Sequence, residues 1–185
     1  NCQTDPPPPS CNGDNSGTTN LRIRNLTARY NNIGIETRFP KQAASFGHFA
    51  LRDSWIQFNK VAGIVLQSVL GANIEANSIT MNGTDGTQAR GGLVLVNGAG
   101  HRVEEVRILG NEFDGNAVAH ITMNSHNGVI LYNMFNSQRT PQMGYAPLTA
   151  IVIAAGLPAG RILYNVEVFL TKNIVPNPTV LNSYI

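Results

Sequence analysis

Five short apolar segments recur along the chain at a nearly constant interval. They read Gly34-Ile35-Glu36-Thr37-Arg38, Gly63-Ile64-Val65-Leu66-Gln67, Gly92-Leu93-Val94-Leu95-Val96, His120-Ile121-Thr122-Met123-Asn124 and Ala150-Ile151-Val152-Ile153-Ala154. Their second residues sit at 35, 64, 93, 121 and 151, so the steps are 29, 29, 28 and 30. A steady period of this kind marks stacked repeats, each of which buries its apolar face only against its neighbours. The 185 residues suit one domain, and a hydrophobic content of 42% suffices for a continuous core.

A second marker interleaves with the first. Asn25, Asp53, Asn77, Asn111, Asn133 and Asn165 each follow a short apolar stretch, and apolar residues resume at Leu26, Trp55, Ile79, Phe113, Phe135 and Val166. Three of these stretches are near copies: Arg107-Ile108-Leu109-Gly110-Asn111, Val129-Ile130-Leu131-Tyr132-Asn133 and Arg161-Ile162-Leu163-Tyr164-Asn165. Asn tolerates left-handed backbone and bonds its own turn. Identical side chains stacked above one another also bond in ladders. The six positions therefore read as a structural ladder at one turn. The intervals between them are uneven because polar insertions fall at 82–91 and 137–147, which loops accept and aligned strands do not.

Each repeat thus holds a strand, a turn, a strand ending at Asn, a short strand and a return loop. Val180-Leu181-Asn182, 29 beyond Ile151, would open a sixth repeat, and a short helix fits 41–46. At about 4.8 Å between strands the stack would stand roughly 30 Å tall. Strands of this length and period with an Asn ladder at a turn resemble the right-handed parallel β-helix of the pectin-lyase-like superfamily. That group includes pectate lyases, polygalacturonases, phage tailspikes and secreted repeat proteins. The resemblance covers 21–185 and implies an all-β parallel β-helix of about five to six coils. It concerns fold, which does not by itself carry function. Hexapeptide repeats of the left-handed alternative are absent.

Residues 1–20 form an irregular Pro-rich N-terminal segment. Cys2 and Cys11 bracket Pro6-Pro7-Pro8-Pro9 with no Cys or His at metal-ligand spacing. A local disulfide and an oxidising, extracellular setting are expected, against two free thiols. Charged residues make up 13%, where about a quarter is usual, and Asn fills much of the gap. The net charge of +2 with scattered Lys and Arg speaks against nucleic acid. No apolar run approaches the roughly 18 residues of a membrane span. The chain lacks an initiator Met and a signal-like start, which reads as a mature or excised form. No cofactor or metal motif is evident.

Alternation assigns Ile35, Ile64, Leu93, Ile121 and Ile151 inward, and Glu36, Val65, Val94, Thr122 and Val152 outward. In catalytic members of the resembled superfamily the groove along such an outward face carries acidic and basic groups. Only Glu36 and Arg38 are charged here, so no family catalytic residue carries over. Val65, Val94, Val96 and Val152 instead form an aliphatic ridge. It implies cover by an inserted loop or by another subunit, or strands buried on both faces.

Other candidates are polar. Glu112 and Asp114 lie two apart, roughly 7 Å along one strand face, a spacing compatible with glycoside hydrolysis. His120, Thr122, Asn124 and His126 alternate along one face as a carbohydrate-binding strip. The two His residues would stand roughly 20 Å apart, too far for one metal. Trp55 and Phe58 could stack on sugars, although Trp55 takes a core position in the turn alignment. Asn25 and Asn82 begin glycosylation sequons, and only Asn82 falls in a loop.

These features favour a secreted structural, adhesive or self-assembling β-helix, homo-oligomeric or fibrous. No evident cap follows Val180, and an open strand edge invites end-to-end stacking. The alternatives are a polysaccharide lyase or hydrolase using Glu112 and Asp114, and a non-catalytic carbohydrate-binding module.

Overall fold

Short alternating runs end where a residue takes left-handed backbone, and this punctuation sets the architecture. The computed structural model describes residues 20–37, 46–67, 69–96, 103–123, 128–136, 149–153, 161–163, 166–168 and 172–175. These hold strands only, without a helix, arranged in three sheets that each take every third strand. Sheet A contains β1 (Leu21–Arg24), β4 (Phe46–Arg52), β7 (Val69–Glu75), β10 (Val106–Leu109), β13 (Val129–Leu131) and β16 (Arg161–Leu163). Sheet B contains β2 (Thr27–Arg29), β5 (Trp55–Gln57), β8 (Ser78–Thr80), β11 (Glu112–Asp114), β14 (Met134–Asn136) and β17 (Val166–Val168). Sheet C contains β3 (Ile33–Glu36), β6 (Ala62–Gln67), β9 (Gly91–Val96), β12 (Ala119–Met123), β15 (Thr149–Ile153) and β18 (Lys172–Val175). Every strand pairing is parallel, which gives a solenoid-like stack compatible with a parallel β-helix.

The 29-residue segments are sheet C. Ile35, Ile64, Leu93, Ile121 and Ile151 stand in one register column, which Ile174 of β18 extends. The sixth sheet C strand therefore lies at 172–175, not at 180–182, because the last repeat is shorter than the period. Of 41–46, Phe46 opens β4, and 41–45 lie outside the described residues. One core runs through the stack. Sheet A contributes Leu51, Ile74, Ile108 and Ile130; sheet B contributes Ile56, Ile79, Phe113 and Phe135; sheet C contributes its Ile/Leu column. Each such side chain is worth roughly 1.5–3 kcal/mol when fully withdrawn from water.

Two ladders, not one, flank sheet B. The first runs Leu26–Ser54–Asn77–Asn111–Asn133. Ser54 N donates to Asn77 Oδ1 at 3.0 Å, Asn77 Nδ2 to Asn111 Oδ1 at 3.0 Å, and Asn111 Nδ2 to Asn133 Oδ1 at 2.9 Å. Each amide also donates to a neighbouring carbonyl, as Asn77 Nδ2 does to Leu51 O at 3.0 Å. Asn25 and Asp53, expected in this row, lie one residue outside it. Both are exposed with positive φ (54° and 51°), matching Ala76, Gly110 and Tyr132 in the other repeats. Asn and Asp favour left-handed backbone, so the turn residue mimics the ladder residue beside it. Asn165 lies outside the described residues.

The second ladder follows sheet B. Asn31 N donates to Asn59 Oδ1 at 3.1 Å, Asn59 Nδ2 to Asn82 Oδ1 at 2.8 Å, and Asn82 Nδ2 to Asn116 Oδ1 at 2.9 Å. Ladder positions lie five residues apart in each repeat: 26 and 31, 54 and 59, 77 and 82, 111 and 116. The glycines that open the sheet C segments make room for this ladder. A Cβ on Gly63 would stand 2.6 Å from Gly92 O and 2.8 Å from Asn82 Nδ2, and Gly34 and Gly92 are equally confined.

Candidate functional site

The residues proposed from sequence scatter over the stack. Glu112 and Asp114 do flank inward Phe113 on one outer face of β11, as the two-residue spacing requires. Their neighbours in the sheet are Ser78 and Thr80 on one side and Met134 and Asn136 on the other.

His120 is fully buried and therefore not part of a surface sugar strip. It occupies the sheet position of Gly34, Gly63 and Gly92, and its ring packs at the height where a further ladder amide would sit. Phe113 and Phe135 flank it at 6.2 and 5.8 Å between ring centroids. Thr122 is half-buried, and Asn124 and His126 lie outside the described residues, as do Cys2 and Cys11.

The aliphatic ridge is not an open assembly face. Val65 and Val94 are already buried within one chain, in a second apolar cluster with Ala62 and half-buried Ile33, Val61 and Val96. The outer side of sheet C is thus covered at Val65 and Val94, as strands apolar on both faces require. The Val152 side chain lies outside the described residues. Trp55, expected in the core, is 57% exposed, because Ile56 takes the inward position. Asn82 is buried in the second ladder, so its sequon is closed to a glycosyltransferase.

A depression of about 800 Å³ lies instead on the outer face of sheet A. Register explains its lining. One outward column holds Arg22, Ala50, Asn73, Arg107 and Val129, which Arg161 extends; the next holds Arg24, Arg52, Glu75, Leu109 and Leu131. Folding therefore gathers arginines that look scattered along the sequence. Arg22, Arg24 and Arg107 are exposed. Arg52 Nη2 pairs with Glu75 Oε1 at 2.7 Å, and Asn73 Nδ2 reaches Glu75 Oε2 at 3.4 Å. Arg52 Nε and Asn73 Oδ1 are shielded from water and lack hydrogen-bond partners. His48 lies over Gly71, where a side chain would collide with its ring. Glu105 completes the rim.

The depression does not include Glu112 or Asp114. Among the described residues no group of three or more His, Cys, Asp or Glu could hold a metal. No helix there is long and apolar enough to cross a membrane. The signal for the arginine face was present in the copied Arg-Ile pairs at 22, 107 and 161. It needed the alternation of sheet A, where the Arg beside inward Ile23 and Ile108 must point out.

Fold and site together define an all-β stack of parallel sheets with a cationic outer face. Comparison with protein-family models, with curated proteins and with solved structures finds no match to this chain.

Proposed function

We propose that this chain is a right-handed parallel β-helix of six coils, of the pectin-lyase-like kind, that binds an extended anionic polysaccharide without cleaving it. Three sheets with short ladder-bearing corners support the fold reading. The handedness rests on the strong right-handed preference of parallel crossover connections. The observation that carries the function is the paired arginine columns on sheet A: Arg22 and Arg107 in one, Arg24 and Arg52 in the other. Guanidinium groups suit the planar carboxylates and sulfates of such polymers. Asn73, His48 and Glu105 in the same depression offer partners for sugar hydroxyls. Polysaccharides of this type suit an extracellular protein.

Affinity electrophoresis through gels containing polygalacturonate, dextran or no polymer tests this reading. Retardation by polygalacturonate alone is expected, weakening as salt rises. The double variant Arg22→Ala/Arg107→Ala should lose about tenfold or more in affinity, the equivalent of roughly 1.4 kcal/mol. Equal retardation by dextran, no effect of the double variant, or preference for a single-stranded oligonucleotide would each reject it. Release of unsaturated or reducing ends from polygalacturonate would return the enzyme reading.

A further inference from the structure

Sheet B presents the other unusual surface. Its outer face carries Arg29 on β2, the strand at one end, and half-buried Glu112 and Asp114 on β11, the fourth strand in, with β14 and β17 beyond. Between β2 and β11 lie β5 and β8, so the opposite charges are three strand steps apart, about 14 Å at roughly 4.8 Å per step. Arg29 cannot reach either carboxylate within one chain. The Arg29 end is also the aromatic end. Arg29 Cζ lies 5.5 Å from the Trp55 ring centroid, and Tyr30 stacks on Phe58 at 5.6 Å and 12°. Trp55 is 57% and Tyr30 73% exposed. Aromatic and Arg side chains on a surface are the residue types most enriched at protein interfaces.

We propose that sheet B is the contact face of a two-fold homodimer, its occupant a second copy of this chain. A two-fold axis in the interface, parallel to the strands and between β5 and β8, lays β2 of one copy over β11 of the other. Arg29 then meets Glu112 and Asp114 twice, once in each half. The same operation sets Trp55 over β8 of the other copy, where half-buried Ser78 and buried Thr80 are small enough to leave room for an indole. The contact is self-complementary and closes on itself, so it yields dimers and not fibres. Short strands keep the area near the low end for specific interfaces, so the dimer is weak and concentration-dependent. Sheet A stays open to solvent in this arrangement, and the proposal stands independently of glycan binding.

Sedimentation velocity over a micromolar-to-millimolar series tests it. Wild type should shift reversibly from monomer to dimer. Arg29→Glu should weaken association at least tenfold, Trp55→Ser should do likewise, and both keep the wild-type circular dichroism because the positions are exposed. Arg29→Glu combined with Glu112→Arg and Asp114→Arg should restore dimers, a rescue that a purely structural role would not produce. Monomer throughout the series overturns the proposal. So does a dimer indifferent to Arg29→Glu, or open-ended growth into filaments.

Discussion

Asn116 donates its side-chain amide to His120 Nδ1 at 3.1 Å, and this contact ends the second ladder. The direction is fixed by the rest of the network. Asn116 Oδ1 already accepts from Asn82 N at 3.0 Å and Asn82 Nδ2 at 2.9 Å, so its nitrogen faces His120. Replacing His120 with Ala leaves Asn116 Nδ2 with Ile79 O at 2.7 Å but strips one buried N–H of its acceptor, and it opens a hole between Phe113 and Phe135. A loss of about 2–4 kcal/mol follows, or about 5–15 °C in Tm for a chain of this size. His120→Asn keeps an acceptor and should lose less. Thermal unfolding followed by circular dichroism checks both; an unchanged Tm in His120→Ala would sink the account.

Gly63 and Gly86 form a matched pair. Alanine at 63 places Cβ against backbone Gly92 O and ladder Asn82 Nδ2, whereas nothing lies within 4 Å of a Cβ at 86. Gly63→Ala should destabilise by about 1–3 kcal/mol through overpacking. Gly86→Ala should be neutral or stabilising by up to about 1 kcal/mol, by narrowing the unfolded ensemble. Denaturant midpoints measured side by side decide it; equal midpoints contradict the close approach.

Val65 and Trp55 exchange the roles that the sequence suggests for them. Val65→Asn buries an amide without a designed partner and should lower unfolding free energy by about 1–3 kcal/mol in the monomer. Trp55→Ser should change it by under about 1 kcal/mol, as surface positions usually do. Chemical denaturation at low protein concentration separates the two, and similar losses would contradict the burial assigned here.

Much of the architecture is legible before folding, for a physical reason. Ile35, Ile64, Leu93, Ile121 and Ile151 must align to pair, so their spacing survives in the chain. The ladder was legible where the turn residue was unlike Asn, as at Ala76-Asn77 and Gly110-Asn111. It was displaced where Asn25 and Asp53 satisfied the same backbone need. The second ladder was hidden because Asn59, Asn82 and Asn116 follow Phe58, Met81 and Gly115, which share a left-handed φ but no chemical type. His120 misled for a related reason: alternation counts faces but does not see the corner into which its ring turns. The arginine face was the least visible, since it joins strands 22 to 34 residues apart, of which β1 carries two arginines, β4 and β10 one each, and β7 and β13 none.

Asp85 offers a pH observable remote from these contacts. Its carboxylate accepts from Thr87 Oγ1 at 2.8 Å and Thr87 N at 3.1 Å, and this bonding to the charged form holds its pKa below the ordinary value. The small stabilisation is therefore present above the ordinary carboxylate pKa and is lost as pH falls through the lowered one. A carboxyl-carbon NMR titration should show the Asp85 midpoint below the free-residue value. Thr87→Ala should raise it; no movement would refute the assignment.

The described connections from sheet A to sheet B are all two residues long, at 25–26, 53–54, 76–77, 110–111 and 132–133. The described ones entering sheet C run from three residues at 30–32 to ten at 81–90. Sheets A and B are therefore bound like two boards along one spine, whose angle no insertion can alter without breaking a ladder. Sheet C borders the editable margin. Lineages elaborating this chain would be free to add chemistry around that margin. The cationic and aromatic boards would pass on nearly unchanged, altered only by exchange of one side chain for another.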